Sequence, residues 1–189
     1  MTGLSDPAIQ RVVGAASRRG VALDIRVLPN SPRTAEEAAS VLKADLGQIV
    51  RSVVLVAPGP GNGLAAVVCL TSARNQVDLH LLAAVTGEFA IRPATTREAS
   101  SLTGYCSGNI PPIAHDRGVR TVMDQDLSAH QWVWAAAGVG RALFRVAPRT
   151  LRMLSNAVVA PVASGSRMRD PGSVGVERVP QLATGTGAA

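Results

Sequence analysis

Runs of apolar, β-branched residues alternate along the chain with amphipathic segments that begin at helix-capping side chains. The runs at residues 49–57 and 64–71 are joined by a Gly/Pro-rich turn and predict two paired central strands that are buried on both faces. The runs at residues 132–136 and 142–146 flank a glycine-containing turn and predict a late hairpin. Shorter apolar runs predict three more strands, at residues 21–28, 89–91 and 118–123.

The amphipathic segments predict five helices, most of them with a clear start signal. Asp6 before Pro7 predicts a first helix that ends near Gly20. Residues 34–37 and 95–98 have the capping-box spacing, with threonine first and glutamate fourth. Two further helices are expected, one after Asn75 or Asp78 and one from Pro148. The order of elements favours an α+β fold with a mixed sheet partly wrapped by helices over a regular doubly wound fold.

A segment rich in glycine and proline, residues 104–115, follows the fourth predicted helix, and we call it the glycine loop. Its two glycines permit close backbone turns, and a Pro-Pro pair stiffens its exit. The N–H groups of Gly108, Asn109 and Ile110 remain available and can converge on one anion or carbonyl oxygen. For Gly/Pro clusters in general, a plain surface turn is the more common interpretation.

Composition sets the domain organisation and the cellular setting that we expect. The 189 residues, of which 47% are apolar, suffice for one buried core, and we assign residues 1–162 to one domain. Residues 163–189 lack periodicity and predict a disordered tail. The apolar stretch 52–71 is broken by its Gly/Pro turn, which argues against a membrane span, and no secretory signal is recognisable. We therefore expect a cytoplasmic protein without a membrane partner.

The net charge and the scarcity of aromatic residues, cysteines and histidines limit the kinds of binding site that we expect. The net charge of +6 permits binding to a polyanion, but the arginines are scattered and aromatic residues make up only 3% of the chain. Contact with nucleic acid should therefore be limited and rely on phosphates, not on a base-stacking platform. Two cysteines and three scattered histidines form no metal-binding motif, so neither a metal nor an organic cofactor is expected.

Three stretches together resemble a known family. They are residues 34–39 with 47–54, the Gly-x-x-x-Pro signature at residues 108–112, and residues 123–127 with 133–138. From about Thr34 to Leu154, the chain resembles the YbaK/EbsC-type aminoacyl-tRNA deacylases, which are similar to the editing domain of bacterial prolyl-tRNA synthetases. The resemblance implies a mixed, partly barrel-like sheet flanked by helices. It also implies a trans-editing hydrolase that cleaves the ester of a mischarged aminoacyl-tRNA carrying a small amino acid, with the tRNA 3′ end and a synthetase as partners.

The same resemblance implies a site. Gly108, with Asn109, would bind the ester carbonyl, and Arg51 would contact the carbonyl or the phosphate of the terminal adenosine. The neighbouring ribose hydroxyl of the substrate would activate the water. The predicted catalytic residues are Arg51 and Gly108, and the predicted substrate-binding residues are Gly104, Tyr105, Asn109, Ile110, Pro112 and His115.

Two positions depart from the family pattern. Arg51 stands where the family has lysine, and arginine keeps the charge but cannot act as a base. Ala114 stands where the family usually has glycine, which predicts a stiffer loop exit. The alternative is a non-catalytic paralogue that binds tRNA ends or a synthetase, and Arg51 could also belong to a solvated ion pair at a strand edge.

Other groups allow weaker hypotheses. Cys106 with His115 would allow a thiol nucleophile acting on small esters or thioesters, although no third orienting group is identifiable. Asp124 and Asp126 resemble paired carboxylates, but capping and the helix dipole predict that they start a short helix.

Overall fold

The structure is a computed structural model that describes residues 3–165. The helices are α1 Pro7–Ser17, α2 Ala35–Leu42, α3 Leu79–Thr86, α4 Thr96–Thr103 and α5 Pro148–Ser155. The strands are β1 Asp24–Val27, β2 Val50–Pro58, β3 Leu64–Ser72, β4 Asn75–Val77, β5 Arg92–Pro93, β6 Arg120–Asp124, β7 Val133–Ala136, β8 Ala142–Val146, β9 Val158–Ala160 and β10 Ala163–Gly165. All five predicted helices are confirmed, as are the central strand pair and the late hairpin.

The strands form a mixed architecture around one large sheet. Its order is β5-β2-β3-β6-β9, in which β2 runs antiparallel to β3, whereas β6 runs parallel to both of its neighbours. A second, antiparallel sheet has the order β1-β8-β7, and β4 pairs with β10. A single bridge between Ile49 and Trp134 joins the two larger sheets. This arrangement confirms the predicted α+β fold with a mixed sheet.

Both faces of the large sheet are covered, as the apolar runs predict. On one face, α1, α5 and the second sheet enclose the main core, in which Ile9, Phe144 and Leu151 are completely buried. On the other face, α3 packs through Leu82 against Cys69 and its neighbours. Buried isoleucines of the glycine loop, Ile110 and Ile113, belong to the main core, so the loop is anchored to the sheet from below.

The predicted caps form, with one informative difference. The Asp6 carboxylate accepts the N–H of Ala8, and the box at residues 95–98 is complete. At α2, the hydroxyl of Thr34 accepts the N–H of Glu37, but the Glu37 carboxylate accepts the N–H of Arg33 instead of closing the box. The start of α2 therefore fixes the main chain of the preceding arginine.

The failed strand predictions concern short elements. The strand expected at residues 89–91 is wrong: Phe89 is 91% exposed, and the strand lies at Arg92–Pro93. Asp78, not Asn75, caps α3, and Asn75 belongs to β4. The strand β10 extends three residues past the predicted domain boundary, whereas residues 166–189 of the predicted tail lie outside the described residues. Within residues 3–165, no helix combines the length and apolar character needed to cross a membrane.

Candidate functional site

A cavity of about 440 Å³ lies between β2, the start of α2, the hairpin β7–β8 and the glycine loop. We call it the edge cavity, because it follows the edge of β2 at residues 50–54. Its volume falls within the range typical of small-molecule sites. Residues 107–110 of the glycine loop line one side of the cavity, and residues 32–35 line the other.

The edge of β2 offers unpaired main-chain groups to this cavity. The strand β5 pairs only with Leu55 and Val56, and the N–H of Ala94 donates to the carbonyl of Val54 at 3.0 Å. Because main-chain groups alternate between the two edges of a strand, the N–H and C=O of Ser52 face the same edge. Within residues 3–165, no strand pairs with this edge at Ser52. Ser52 on β2 thus presents one main-chain donor, its N–H, and one acceptor, its C=O, to the cavity.

The glycine loop turns tightly where it lines the edge cavity. The N–H of Asn109 donates to the carbonyl of Cys106 at 3.1 Å, and Gly108, at φ +86°, occupies the left-handed conformation that such a turn requires. The expected set of three free donors is therefore wrong, since Asn109 is already bonded. The N–H groups of Gly108 and Ile110 have no hydrogen-bond partner among the described residues. Two donors thus remain for a ligand.

The charged lining of the edge cavity is entirely basic. It contains Arg33 and Arg51, and no carboxylate, histidine, cysteine or lysine lies in it among residues 3–165. No carboxylate oxygen of the described residues comes within 4.0 Å of Arg51, which speaks against the ion-pair interpretation. Hydrogen bonds from its own main chain and from Thr34 hold the pKa of exposed Glu36 below its usual value, and Arg51 adds a smaller effect. The cavity can therefore attract an anion, but it offers no side chain that could act as a base.

The exit of the glycine loop is held from behind. Both the Arg11 guanidinium and the Tyr105 hydroxyl donate to the carbonyl of Ala114, at 3.0 and 3.1 Å. Arg11 also lies 4.5 Å above the Tyr105 ring and pairs with Asp116. Ala114 has φ +66°, a conformation that costs a residue with a Cβ about 1–2 kcal/mol. The clamp thus holds Ala114 in a left-handed conformation that glycine would adopt without this strain.

His115 stabilises the same exit. Its Nε2 lies 2.7 Å from the carbonyl of Pro111, so this nitrogen carries the proton and donates. Burial lowers the pKa of His115, which favours the neutral ring. The ring also stands edge-on to Tyr105, with 6.4 Å between the ring centres. His115 therefore braces the loop exit.

The predicted site residues separate into two groups. Arg51, Gly108, Asn109 and Ile110 line the edge cavity together. The other four predicted substrate-binding residues, Gly104, Tyr105, Pro112 and His115, do not line it. Tyr105 is buried behind the loop, and Gly104 ends α4 at φ +78°, where a Cβ would overlap the carboxylate of Asp116. Their position supports a structural role, not contact with a ligand in this cavity.

The thiol hypothesis receives no support from the geometry. Cys106 is exposed and does not line the edge cavity, and within residues 3–165 its thiol has no hydrogen bond to His115. The second cysteine, Cys69, is buried in the core, and burial raises the pKa of its thiol to about 12. The described cysteines are therefore not placed to attack a ligand there.

Sequence reasoning missed three contributors to the edge cavity. Arg33 stands directly before the threonine cap of α2, a spacing that could have placed it at the helix start. Ser52 contributes through its main chain, which leaves no signal in the side-chain pattern. A Cβ on Gly140 would lie only 2.9 Å from the Ser31 hydroxyl and 3.1 Å from Asn109, so this glycine allows the hairpin to approach the loop closely.

The two aspartates near residue 125 lie at the start of a short helix, as predicted, and they also join two strands. A short 3₁₀ helix follows Asp124, but the Asp124 side chain makes no capping bond. Instead, the Asn75 amide donates to both Asp124 and Asp126 at 2.8 Å and ties β4 to the end of β6. Burial raises the pKa of Asp124. The pair joins two strands outside the edge cavity.

Comparison with known proteins connects this geometry to a family. Residues 30–154 match the aminoacyl-tRNA editing domain family. The proline–tRNA ligase of Stenotrophomonas maltophilia is 29% identical over 176 residues, which cover 92% of this chain and 30% of the ligase. The chain thus spans about 30% of the length of that relative.

Two shorter proteins match over most of their own length. The protein assigned as the Cys-tRNA(Pro)/Cys-tRNA(Cys) deacylase EbsC of Enterococcus faecalis is 24% identical over 131 residues, covering 69% of this chain and 77% of that protein. A crystal structure assigned to a trans-editing enzyme for prolyl-tRNA synthetase is 40% identical, with a TM-score of 0.76. That match covers 85% of this chain and 99% of the other.

Proposed function

The chain belongs to the aminoacyl-tRNA editing domain family, and from this we propose that it hydrolyses mischarged aminoacyl-tRNA in trans. The ester that it cleaves joins a small amino acid to the 3′ end of the tRNA. The names of the relatives favour tRNA(Pro) as the nucleic acid and prolyl-tRNA synthetase as the enzyme whose errors are corrected. The protein would act in the cytoplasm, where tRNA is charged.

One observation carries this proposal: Gly108 and Ile110, whose N–H groups have no hydrogen-bond partner among the described residues, line the same cavity as Arg51. Ester hydrolysis places negative charge on the carbonyl oxygen when water attacks. Donors and a cation fixed in advance around that oxygen stabilise the transition state, and removing one such donor typically costs about 100–1,000-fold in rate.

The reaction needs no nucleophile from the protein. Water adds to the ester carbon, the bond to the ribose 3′ oxygen then breaks, and that oxygen takes a proton. The products are the free amino acid and a tRNA with its 3′ hydroxyl restored. Because the described lining contains no side chain that could act as a base, the neighbouring ribose hydroxyl of the substrate transfers the proton from water.

The two arginines have separable roles in this proposal. Arg51, on β2, faces the ester or the phosphate of the terminal adenosine, and Arg33, before α2, holds a second anionic oxygen. Arginine suits this task because it is always charged and its planar group can contact two oxygens at once. The unpaired carbonyl of Ser52 can accept a hydrogen bond from the ammonium group of the amino acid.

Editing also explains why such a site is useful. A synthetase pocket distinguishes side chains that differ by one methylene by only about 10–200-fold, so a second site must remove the errors. A cavity formed largely by alanine, valine and main-chain groups has room for the terminal adenosine and a short side chain.

The direct experiment incubates the protein with tRNA(Pro) charged with alanine, serine, cysteine or proline and measures the loss of charge. We expect hydrolysis of at least one small mischarged amino acid. Gly108→Ala should reduce that rate about 100–1,000-fold, because the added Cβ opposes the left-handed turn that orients the donors.

A matched control separates backbone strain from chemistry. Gly87 also has a positive φ, and a Cβ there would meet nothing within 4 Å, as at Gly108, but Gly87 ends α3 outside the edge cavity. Gly87→Ala should therefore retain full activity. Binding of all four charged tRNAs without hydrolysis would contradict the proposal and favour the non-catalytic alternative.

A further inference from the structure

A second cavity, of about 310 Å³, lies against the exit of the glycine loop. We call it the arginine cavity, because Arg18, Arg19 and Arg117 line it together with His115. No carboxylate lies in its lining among residues 3–165. Three guanidinium groups around one concave surface, without a neutralising acid in the lining, create a strongly positive site.

Two of these arginines have unused hydrogen-bond donors. Arg19 donates to the main-chain carbonyl of Met153, whereas Arg18 and Arg117 make no side-chain hydrogen bond or ion pair within the described residues. The nearest acid along the chain, Asp116, is already paired with Arg11. A ligand with several anionic oxygens can therefore satisfy donors that the protein leaves open.

We propose that the arginine cavity binds backbone phosphates of the tRNA at a distance from its aminoacylated end. This inference rests on the proposed function, since it assigns a second contact to the same substrate. Phosphate contacts position a nucleic acid without reading its sequence, and a basic surface almost free of aromatic residues suits that task.

The position of the cavity explains why such a contact would be useful. Residues 107–110 of the glycine loop line the edge cavity, and residues 112–115 line the arginine cavity. Only Pro111 lies between these two sets of lining residues along the chain, so one continuous loop lines both cavities. A tRNA held by its phosphates at the exit would therefore bring its 3′ end to the loop that carries the donors.

The test replaces both free arginines, in Arg18→Gln/Arg117→Gln. The control, Arg97→Gln/Arg149→Gln, removes the same charge from two exposed arginines that line neither cavity and make no ion pair within residues 3–165. Two substrates are compared: full-length mischarged tRNA(Pro), and the terminal trinucleotide CCA carrying the same amino acid.

We expect the arginine-cavity variant to weaken binding of full-length tRNA about tenfold near 0.1 M salt. It should also reduce the slope of log affinity against log salt by about 1–2, as the loss of one or two phosphate contacts requires. Its kcat/KM on the short substrate should stay within about twofold of the parent, and the control variant should bind tRNA like the parent.

Three results would overturn the inference. The first is an equal loss of tRNA binding in the control variant. The second is an equal loss of kcat/KM on the short substrate. The third is unchanged tRNA binding together with weaker binding to prolyl-tRNA synthetase. The last result would assign the surface to an acidic protein partner. Binding of uncharged tRNA is measured in parallel, so a parent that hydrolyses nothing would refute the proposed function and still test the arginine cavity. If the double variant unfolds, the single variant Arg117→Gln is compared with Arg97→Gln.

Discussion

The two halves of the glycine loop differ in what their polar groups do. In the first half, residues 107–110, which line the edge cavity, two N–H groups have no hydrogen-bond partner among the described residues. In the second half, residues 111–115, the carbonyls of Pro111 and Ala114 are bonded by side chains from behind. The loop therefore combines an open half suited to a ligand with a closed half that holds it in place.

This difference separates effects on activity from effects on stability. Exposed donors that await a ligand contribute little to folding, whereas a clamp of three side chains contributes to folding and lies outside the edge cavity. Substitutions in the open half should therefore change the rate at nearly constant stability. Substitutions in the closed half should change the stability and leave the rate of the folded protein nearly unchanged.

The largest effect on stability is expected for Gly104→Ala. Gly104 has φ +78°, and a Cβ would lie 2.0 Å from the Asp116 carboxylate, so the carboxylate must move away from Arg11. We expect a loss of about 2–3 kcal/mol in the free energy of unfolding, measured with urea. Gly87→Ala has the same backbone strain without the overlap and should lose only about 1–2 kcal/mol. Equal losses in both variants would contradict the role of Asp116.

The next effect concerns Arg51, which belongs to the open half of the site. Arg51→Ala removes a cation from the edge cavity and should lower kcat/KM by about 10–100-fold, the range for losing a hydrogen bond to a charged group. Because Arg51 makes no ion pair among the described residues, the thermal unfolding of the Arg51→Ala variant should match that of the parent. Arg51→Lys keeps the charge and should lose less than Arg51→Ala. Unchanged kcat/KM in Arg51→Ala would remove this residue from the proposed mechanism.

A smaller effect is expected for Tyr105→Phe. The change removes the hydroxyl that donates to Ala114 and keeps the buried ring. Stability should fall by about 1 kcal/mol, since one hydrogen bond to a partly buried carbonyl is lost while Arg11 still donates to it. The deacylation rate at 25 °C should stay within about twofold of the parent. A tenfold loss of kcat at unchanged stability would instead place Tyr105 among the groups that contact the substrate.

Ala114→Gly should stabilise the folded protein, unlike the substitutions above. Glycine relieves the left-handed strain of about 1–2 kcal/mol at φ +66°, but it makes the unfolded chain more flexible by about 0.4–1 kcal/mol. The net result should be a gain of about 0.5–1 kcal/mol in the free energy of unfolding. Ala84→Gly, on the exposed face of the helix α3, should instead lose about 0.5–1 kcal/mol. A loss at both positions would show that residue 114 is not strained.

The smallest effect is the pH dependence due to His115. Burial lowers the pKa of His115 in the folded protein, so the unfolded chain binds its proton more readily. The contribution of the neutral His115 ring to the free energy of unfolding is thus fully present above the unfolded pKa of about 6.5. It is lost as the pH falls through the lower pKa of the folded protein. His115→Gln should lose stability less steeply than the parent when the pH falls from 7 to 5. Parallel curves for the two proteins would refute this assignment.

Sequence reasoning predicted the elements whose signals are local. The first and fourth helices start at Asp6 and Thr95, because each capping side chain bonds the turn directly after it. Strands of two or three residues, such as Asn75–Val77, were missed because distant partners define them. Phe89 was misjudged because an apolar residue in a short run need not be buried.

The candidate site shows the same limit. The Gly-x-x-x-Pro signature indicated a loop with free donors, and the structure retains two of them at the edge cavity. No local pattern could separate the ligand-facing half from the clamped half, because Arg11 reaches Ala114 across 103 positions of sequence. The sequence predicts that Tyr105 and His115 bind substrate, and in the structure both brace the loop exit outside the edge cavity.

The most direct test of the central claim uses nuclear magnetic resonance of the ¹⁵N-labelled protein. The probe is adenosine that carries alanine through a stable 3′ amide in place of the ester. We predict that the amide signals of Gly108 and Ile110 shift on titration. The amide signal of Asp116, whose N–H donates to the carbonyl of Thr103, should not shift. Shifts confined to the amides of residues 113–116, with Gly108 and Ile110 unchanged, would contradict the account.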